Sequence, residues 1–141
     1  MRAEFLNILV VDDDPIDVMA FQRAARRCGW PNRVTVAASG EEALALVRGL
    51  AAPKLVLLDI RMPGMGGLET LRQLRADPAL THTCVFMLTS SDDPSDVDAA
   101  YRLHANAFVV KQSGADGMRA IVERIRSFAE LVELPQRAGA A

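Results

Sequence analysis

Apolar residues fall into five short, nearly continuous runs: Ile8 to Val11, Val34 to Ala38, Leu55 to Leu58, Cys84 to Leu88 and Phe108 to Val110. Each has strand length and is apolar on both faces instead of alternating, as expected of parallel strands covered on both sides by helices. Between the runs, apolar residues recur at helical spacing. The first segment has Val18, Phe21, Ala25 and Cys28, and the second Ala43, Leu44 and Val47. The third has Leu68, Leu71 and Leu74, the fourth Val97, Ala100 and Leu103, and the last Met118, Ile121, Val122, Ile125 and Phe128. This alternation predicts one α/β domain, a doubly wound five-stranded parallel sheet between two helical layers. Asp14 before Pro15 offers a capping carboxylate and a first-turn proline, Ser39 with Glu42 reads as a capping box, and Gly29 and Asp77-Pro78 mark helix ends.

In open parallel sheets, ligands bind beyond the carboxyl ends of the strands. Here the first run leads into Asp12 and Asp13, the third into Asp59, the fourth into Thr89 and Ser90, and the fifth into Lys111. Carboxylates, a hydroxyl and an ammonium therefore gather at one sheet edge. Clustered carboxylates raise one another's pKa values unless a cation joins them. Carboxylate oxygens with a backbone carbonyl and waters suit Mg²⁺, which binds through one or two carboxylates together with phosphate oxygens. Asp59, at the end of the predicted central strand and followed by Pro63-Gly64-Met65-Gly66-Gly67, is the candidate nucleophile, with the glycines expected to let the loop wrap closely around a ligand. Thr89 and the next backbone N–H would bond phosphoryl oxygens, and Lys111 would neutralise another. Lys111 stands out because the chain has sixteen basic residues, of which only Lys54 and Lys111 are lysines. An ammonium meets one anionic oxygen as a point charge, where a guanidinium forks across two.

Composition narrows the alternatives. The 141 residues are 50% hydrophobic and 24% charged, an ordinary globular mix that excludes disorder as the main reading. A second catalytic or DNA-binding domain is not expected at this length. The formal net charge of -2 gives no broad positive field for nucleic acid or an anionic membrane. No apolar run approaches the ~20 residues of a membrane span, and Asp12 comes too early for a secretory apolar segment, so a cytoplasmic protein is expected. Cys28 and Cys84 lack metal-type spacing and are expected to stay reduced.

Four blocks carry a resemblance: Ile8 to Asp13, Leu55 to Gly67, Met87 to Ser91 and Phe108 to Lys111. In this order and spacing they resemble the motifs of two-component response-regulator receiver domains, over roughly residues 6 to 130. The resemblance implies a flavodoxin-like fold with strand order 2-1-3-4-5. It implies that Asp59 takes a phosphoryl group from a histidine-kinase phosphohistidine as a stoichiometric phosphoacceptor with slow self-dephosphorylation, not as an enzyme. It further implies that Asp12, Asp13, Asp59 and the backbone carbonyl of Arg61 hold Mg²⁺. Thr89 would be the switch hydroxyl and Phe108 the switch aromatic, while Lys111 would pair with Asp59 before phosphorylation and with the phosphoryl group after it. Gln112 stands where receivers usually have proline, Gly66 where an acidic residue is common, and His104 where glycine is common. Lys111-Gln112-Ser113, Leu103 to Asn106 and the tail from Ser127 to Pro135 resemble a narrower group, the stand-alone receivers partnered with bacterial phytochrome histidine kinases.

The remaining features read more plainly. Asp92, Asp93, Asp96 and Asp98 form a solvated acidic helix start, Ser91 lines the site entrance, Trp30 packs a loop, and His82 and His104 are surface or loop residues. An aspartate-nucleophile phosphohydrolase would need a second carboxylate two residues after Asp59, where Arg61 stands. No Gly-x-x-x-x-Gly-Lys loop supports nucleotide binding. A phosphorylation-independent interaction module is the other reading, prompted by Gln112. The receiver is expected over 1–130 with no attached output domain, and 131–141 as a C-terminal extension with a frayed end. Phe128, Leu131, Val132 and Leu134 carry apolar content past a typical terminal helix, so they are expected to form a homodimer arm, or else to fold back on their own domain.

Overall fold

The computed structural model describes residues 6–30, 33–52, 54–112, 114–132 and 134. Five strands alternate with five helices: β1 Asn7–Val11, α1 Pro15–Arg27, β2 Arg33–Ala37, α2 Gly40–Gly49, β3 Lys54–Leu58, α3 Gly67–Ala76, β4 Cys84–Thr89, α4 Pro94–Arg102, β5 Ala107–Val110 and α5 Gly114–Leu131. All pairings are parallel and the strand order is β2-β1-β3-β4-β5, the order that the receiver resemblance implies.

The apolar runs work as two-faced strands. Ile8, Val10, Leu55, Leu57, Phe86 and Leu88 face one layer, where they meet Phe21, Ala24 and Ala25 of α1 and Met118, Ile121, Val122 and Ile125 of α5. Their neighbours Leu9, Val11, Val56, Leu58, Val85 and Met87 face the other, against α2, α3 and α4 through Val47, Leu71, Leu74 and Ala100. Each fully buried Leu or Val side chain contributes on the order of 1.5–3 kcal/mol, and together these contacts fix the register of the strand ends.

Local signals set the boundaries. Asp14 caps α1 by accepting from the Ile16 N–H at 2.9 Å, with Pro15 in the first turn. Ser39 caps α2, accepting from the Glu42 N–H at 3.1 Å, while Glu42 reaches back to the N–H of Ala38 at 2.6 Å, one residue before the usual capping-box target. Gly29, with φ +67°, follows α1. Among the described residues, His104 is the non-glycine residue with positive φ, at +68°. This explains physically why glycine is favoured at its position. The strained turn is held by Arg75, whose guanidinium donates to the carbonyls of Thr81, Thr83 and His104 and to Asn106 Oδ1.

Two local features add to these expectations. Of the glycines after Asp59, Gly67 has a packing role, because a Cβ on it would lie 2.1 Å from the Asp59 carbonyl oxygen. Gly67 lets the start of α3 press against the backbone that carries Asp59. Near the C-terminus, Phe128 packs on Phe86 with ring centroids 4.9 Å apart, and it and Leu134 lie against the α1/α5 core. These two residues cover their own domain, as the fold-back alternative has it, while Leu131 is 79% exposed.

Candidate functional site

The register brings the site together. Val11 of β1 is level with Leu58 of β3, so Asp12 and Asp59 leave adjacent strands side by side. Their backbones are tied to the neighbouring strands: Asp12 N–H donates to Ala37 O and Asp59 N–H to Val11 O, both at 3.0 Å. With strand order 2-1-3, this gap between β1 and β3 is the topological switch point, where crossovers depart to opposite faces and leave a crevice. Carboxylate oxygens of Asp12, Asp13 and Asp59 lie within 4.8 Å of one another; Asp12 and Asp59 are buried and Asp13 is exposed. Oxygen-only donors at this spacing suit a hard divalent cation.

Thr89 is fully buried at the end of β4, and its carbonyl accepts from the Lys111 N–H at 2.7 Å, which fixes the start of the segment after β5. The Lys111 ammonium enters the site from there, its side chain only 8% exposed. It donates to Asp12 Oδ2 at 2.5 Å and to Asp17 Oδ2 at 2.9 Å, and stands 3.6 Å from Asp59 Oδ2. Lys111 thus forms an ion pair with Asp59, but its hydrogen bonds go to Asp12 and Asp17. Burial by itself would lower the lysine pKa; the bonds to Asp12 and Asp17 and the nearby Asp59 charge outweigh it and hold the pKa above the ordinary value of 10.5. Burial pushes the Asp12 carboxyl up from 3.8, against the lowering influence of Lys111 and of the Asp14 N–H. A second cation beside Asp12 would oppose that upward shift.

Phe108 is half-buried on β5 against the α2–α4 core, and its N–H donates to the Tyr101 hydroxyl oxygen at 3.1 Å. Arg61 and Ser91 both turn toward α4. Arg61 Nη2 donates to Asp96 Oδ2 at 2.5 Å and Ser91 Oγ donates to the same oxygen at 2.6 Å. Asp96 is therefore not part of a solvated acidic helix start; it is buried and paired, and the cap of α4 is Asp93, which accepts from the Ser95 N–H. Asp17 and Asp96 are the two residues of this region whose contacts the sequence does not reveal. Asp17 had one indirect signal, a first-turn position in the helix that starts just after Asp12 and Asp13. Asp96 had only its place three residues after a helix cap.

Residues 8–123 match the family model of the response regulator receiver domain. The chain belongs to this receiver family. Its relatives include response regulator Rcp1 of Synechocystis, 30% identical over 135 residues that cover 91% of this chain and 92% of that protein. The structure of the Mn²⁺-bound form of Rcp1 superposes with a TM-score of 0.81 at 29% identity, covering 92% of this receiver and 98% of that chain. The phosphorylated cyanobacterial phytochrome response regulator RcpA gives 0.82 at 29% identity, with 92% and 97% covered. Receivers are phosphoacceptors rather than enzymes that turn over a substrate, and the acidic cluster of this receiver fits a divalent metal. Among the described residues no helix is long and apolar enough to cross a membrane.

Proposed function

We propose that this receiver takes a phosphoryl group on Asp59 from the phosphohistidine of a phytochrome-type histidine kinase in the cytoplasm, with Mg²⁺, and signals through its own surface. The observation that carries this reading is the convergence of Asp12, Asp13 and Asp59 within 4.8 Å at the switch point, with Lys111 Nζ 3.6 Å from Asp59. The likeness to RcpA supports the kinase class.

The step needs little covalent chemistry from the protein. An Asp59 carboxylate oxygen attacks phosphorus, the P–O bond forms as the P–N bond to histidine breaks, and the imidazole leaves with the electron pair. Lys111 is held beside the nucleophile and offsets charge on one phosphoryl oxygen, while the Thr89 hydroxyl, reached by a small movement at the end of β4, donates to another. Asp12, Asp13, Asp59 and the Arg61 carbonyl would hold Mg²⁺, which when bound supplies positive charge for the remaining oxygens. The resulting acyl phosphate is expected to hydrolyse slowly. Leu131, exposed beyond the core, and Val132 are the remaining candidates for contact with a second copy.

Transfer from a labelled, autophosphorylated phytochrome-type kinase tests the reading. Label should move to this receiver, require a divalent cation, and be absent from Asp59→Asn. Transfer that persists in Asp59→Asn or after chelation contradicts it.

A further inference from the structure

Asp96 lies in the first turn of α4, outside the carboxylate cluster, yet is only 8% exposed. Its two partners occupy equivalent places. Arg61 follows Asp59 by two residues and donates its backbone N–H to Asp59 Oδ1 at 3.4 Å; Ser91 follows Thr89 by two and donates its N–H to Thr89 Oγ1 at 3.3 Å. Both side chains then meet on Asp96 Oδ2. The result is a chain of contacts, Asp59–Arg61–Asp96–Ser91–Thr89, along the α4 side of the site.

The chain of contacts commits its polar groups. Ser91 has one hydroxyl proton and gives it to Asp96, while its oxygen faces the N–H of Asp93 at 3.4 Å, so Ser91 has no donor left for a water. The Arg61 side chain is 63% exposed and has room to move; its ion pair is with Asp96, while the Asp93 carboxylate acts on it only through its charge. Hydrolysis of an acyl phosphate on Asp59 requires a water oxygen to attack phosphorus in line, the P–O bond to Asp59 to break, and inorganic phosphate to leave as the carboxylate is restored. The attacking water must be admitted and oriented at the rim of the site.

We propose that Asp96 is a positioning residue that holds Arg61 and Ser91 as a closed rim and so lengthens the life of a phosphoryl group on Asp59. The proposal rests on Asp59 being the phosphoacceptor. Without the Asp96 carboxylate, Arg61 loses its hydrogen-bonded anchor, the Ser91 proton becomes available to a water, and hydrolysis accelerates.

The test uses the full chain, phosphorylated with a small acyl-phosphate donor and Mg²⁺, freed of donor, and followed by intact mass. Asp96→Ala should shorten the half-life about three- to fivefold, the rate change carried by a partly exposed ion pair of this kind. Asp96→Glu should restore most of the lifetime, and Asp96→Ala should add nothing in an Arg61→Ala, Ser91→Ala background. Should Asp96→Ala fail to fold, Asp96→Asn, of the same shape but without the charge that holds Arg61, is read the same way. An unchanged half-life in Asp96→Ala or Asp96→Asn, or the same shortening in the background lacking Arg61 and Ser91, overturns the role of Asp96 alone. A wild-type chain that takes no phosphoryl group overturns the phosphoacceptor reading and this proposal with it.

Discussion

At the residue scale, two positions show how close packing and charge determine the site. Gly67 touches the backbone of Asp59 and Ile60, which cannot move aside as a flexible side chain would. Gly67→Ala should therefore destabilise the protein by about 3 kcal/mol or more, read as a lower denaturation midpoint, whereas Gly49→Ala, with open space around its Cβ position, should not. Lys111 gives a pH-dependent prediction. Its folded pKa lies above its unfolded value of 10.5, so its stabilising contribution is complete below pH 10.5 and is lost as pH rises through the raised value. Lys111→Met should cost about 2 kcal/mol at neutral pH, through the loss of charge-assisted hydrogen bonds to Asp12 and Asp17. Denaturant unfolding from neutral to strongly alkaline pH should show wild type and variant converging at the alkaline end, and a constant gap would contradict the assignment.

The elements themselves were largely legible in the chain. Five apolar runs became five strands with ends within one residue of those expected, because a strand buried on both faces leaves an unbroken apolar signature. Asp12, Asp13, Asp59, Thr89 and Lys111 were legible for the same reason, since polar residues directly after such runs must project from the sheet edge. Asp17 and Asp96 were not, because their cationic partners lie 94 and 35 residues away and depend on how α1 meets the end of β5 and how α4 meets the loop after β3. The α5 reading also needed the structure. Phe128 falls in sequence both on the apolar face of the last helix and among the candidates for a dimer arm, and its ring fills the space beside Phe86. Phe128→Ala should thus lower stability by about 3 kcal/mol, whereas Leu131→Asp should leave stability within about 0.5 kcal/mol of wild type. Unfolding and sedimentation of both variants separate core from contact: if Phe128→Ala changes only the oligomeric state, the core assignment fails.

For the whole molecule, the sheet, two helical layers and switch point place three carboxylates and an ammonium at one crevice, as expected of a chain in the receiver family. Near-neutral net charge fits signalling through protein partners, with negative charge concentrated where a divalent cation would sit. The central claim is that one carboxylate among the three forms the phosphoryl bond. Borohydride reduction converts an aspartyl phosphate to homoserine and leaves free aspartate unchanged. After incubation with a small phosphodonor and Mg²⁺, peptide sequencing should find homoserine at position 59 and aspartate at positions 12 and 13; homoserine at 12 or 13, or at none of the three, would contradict the account.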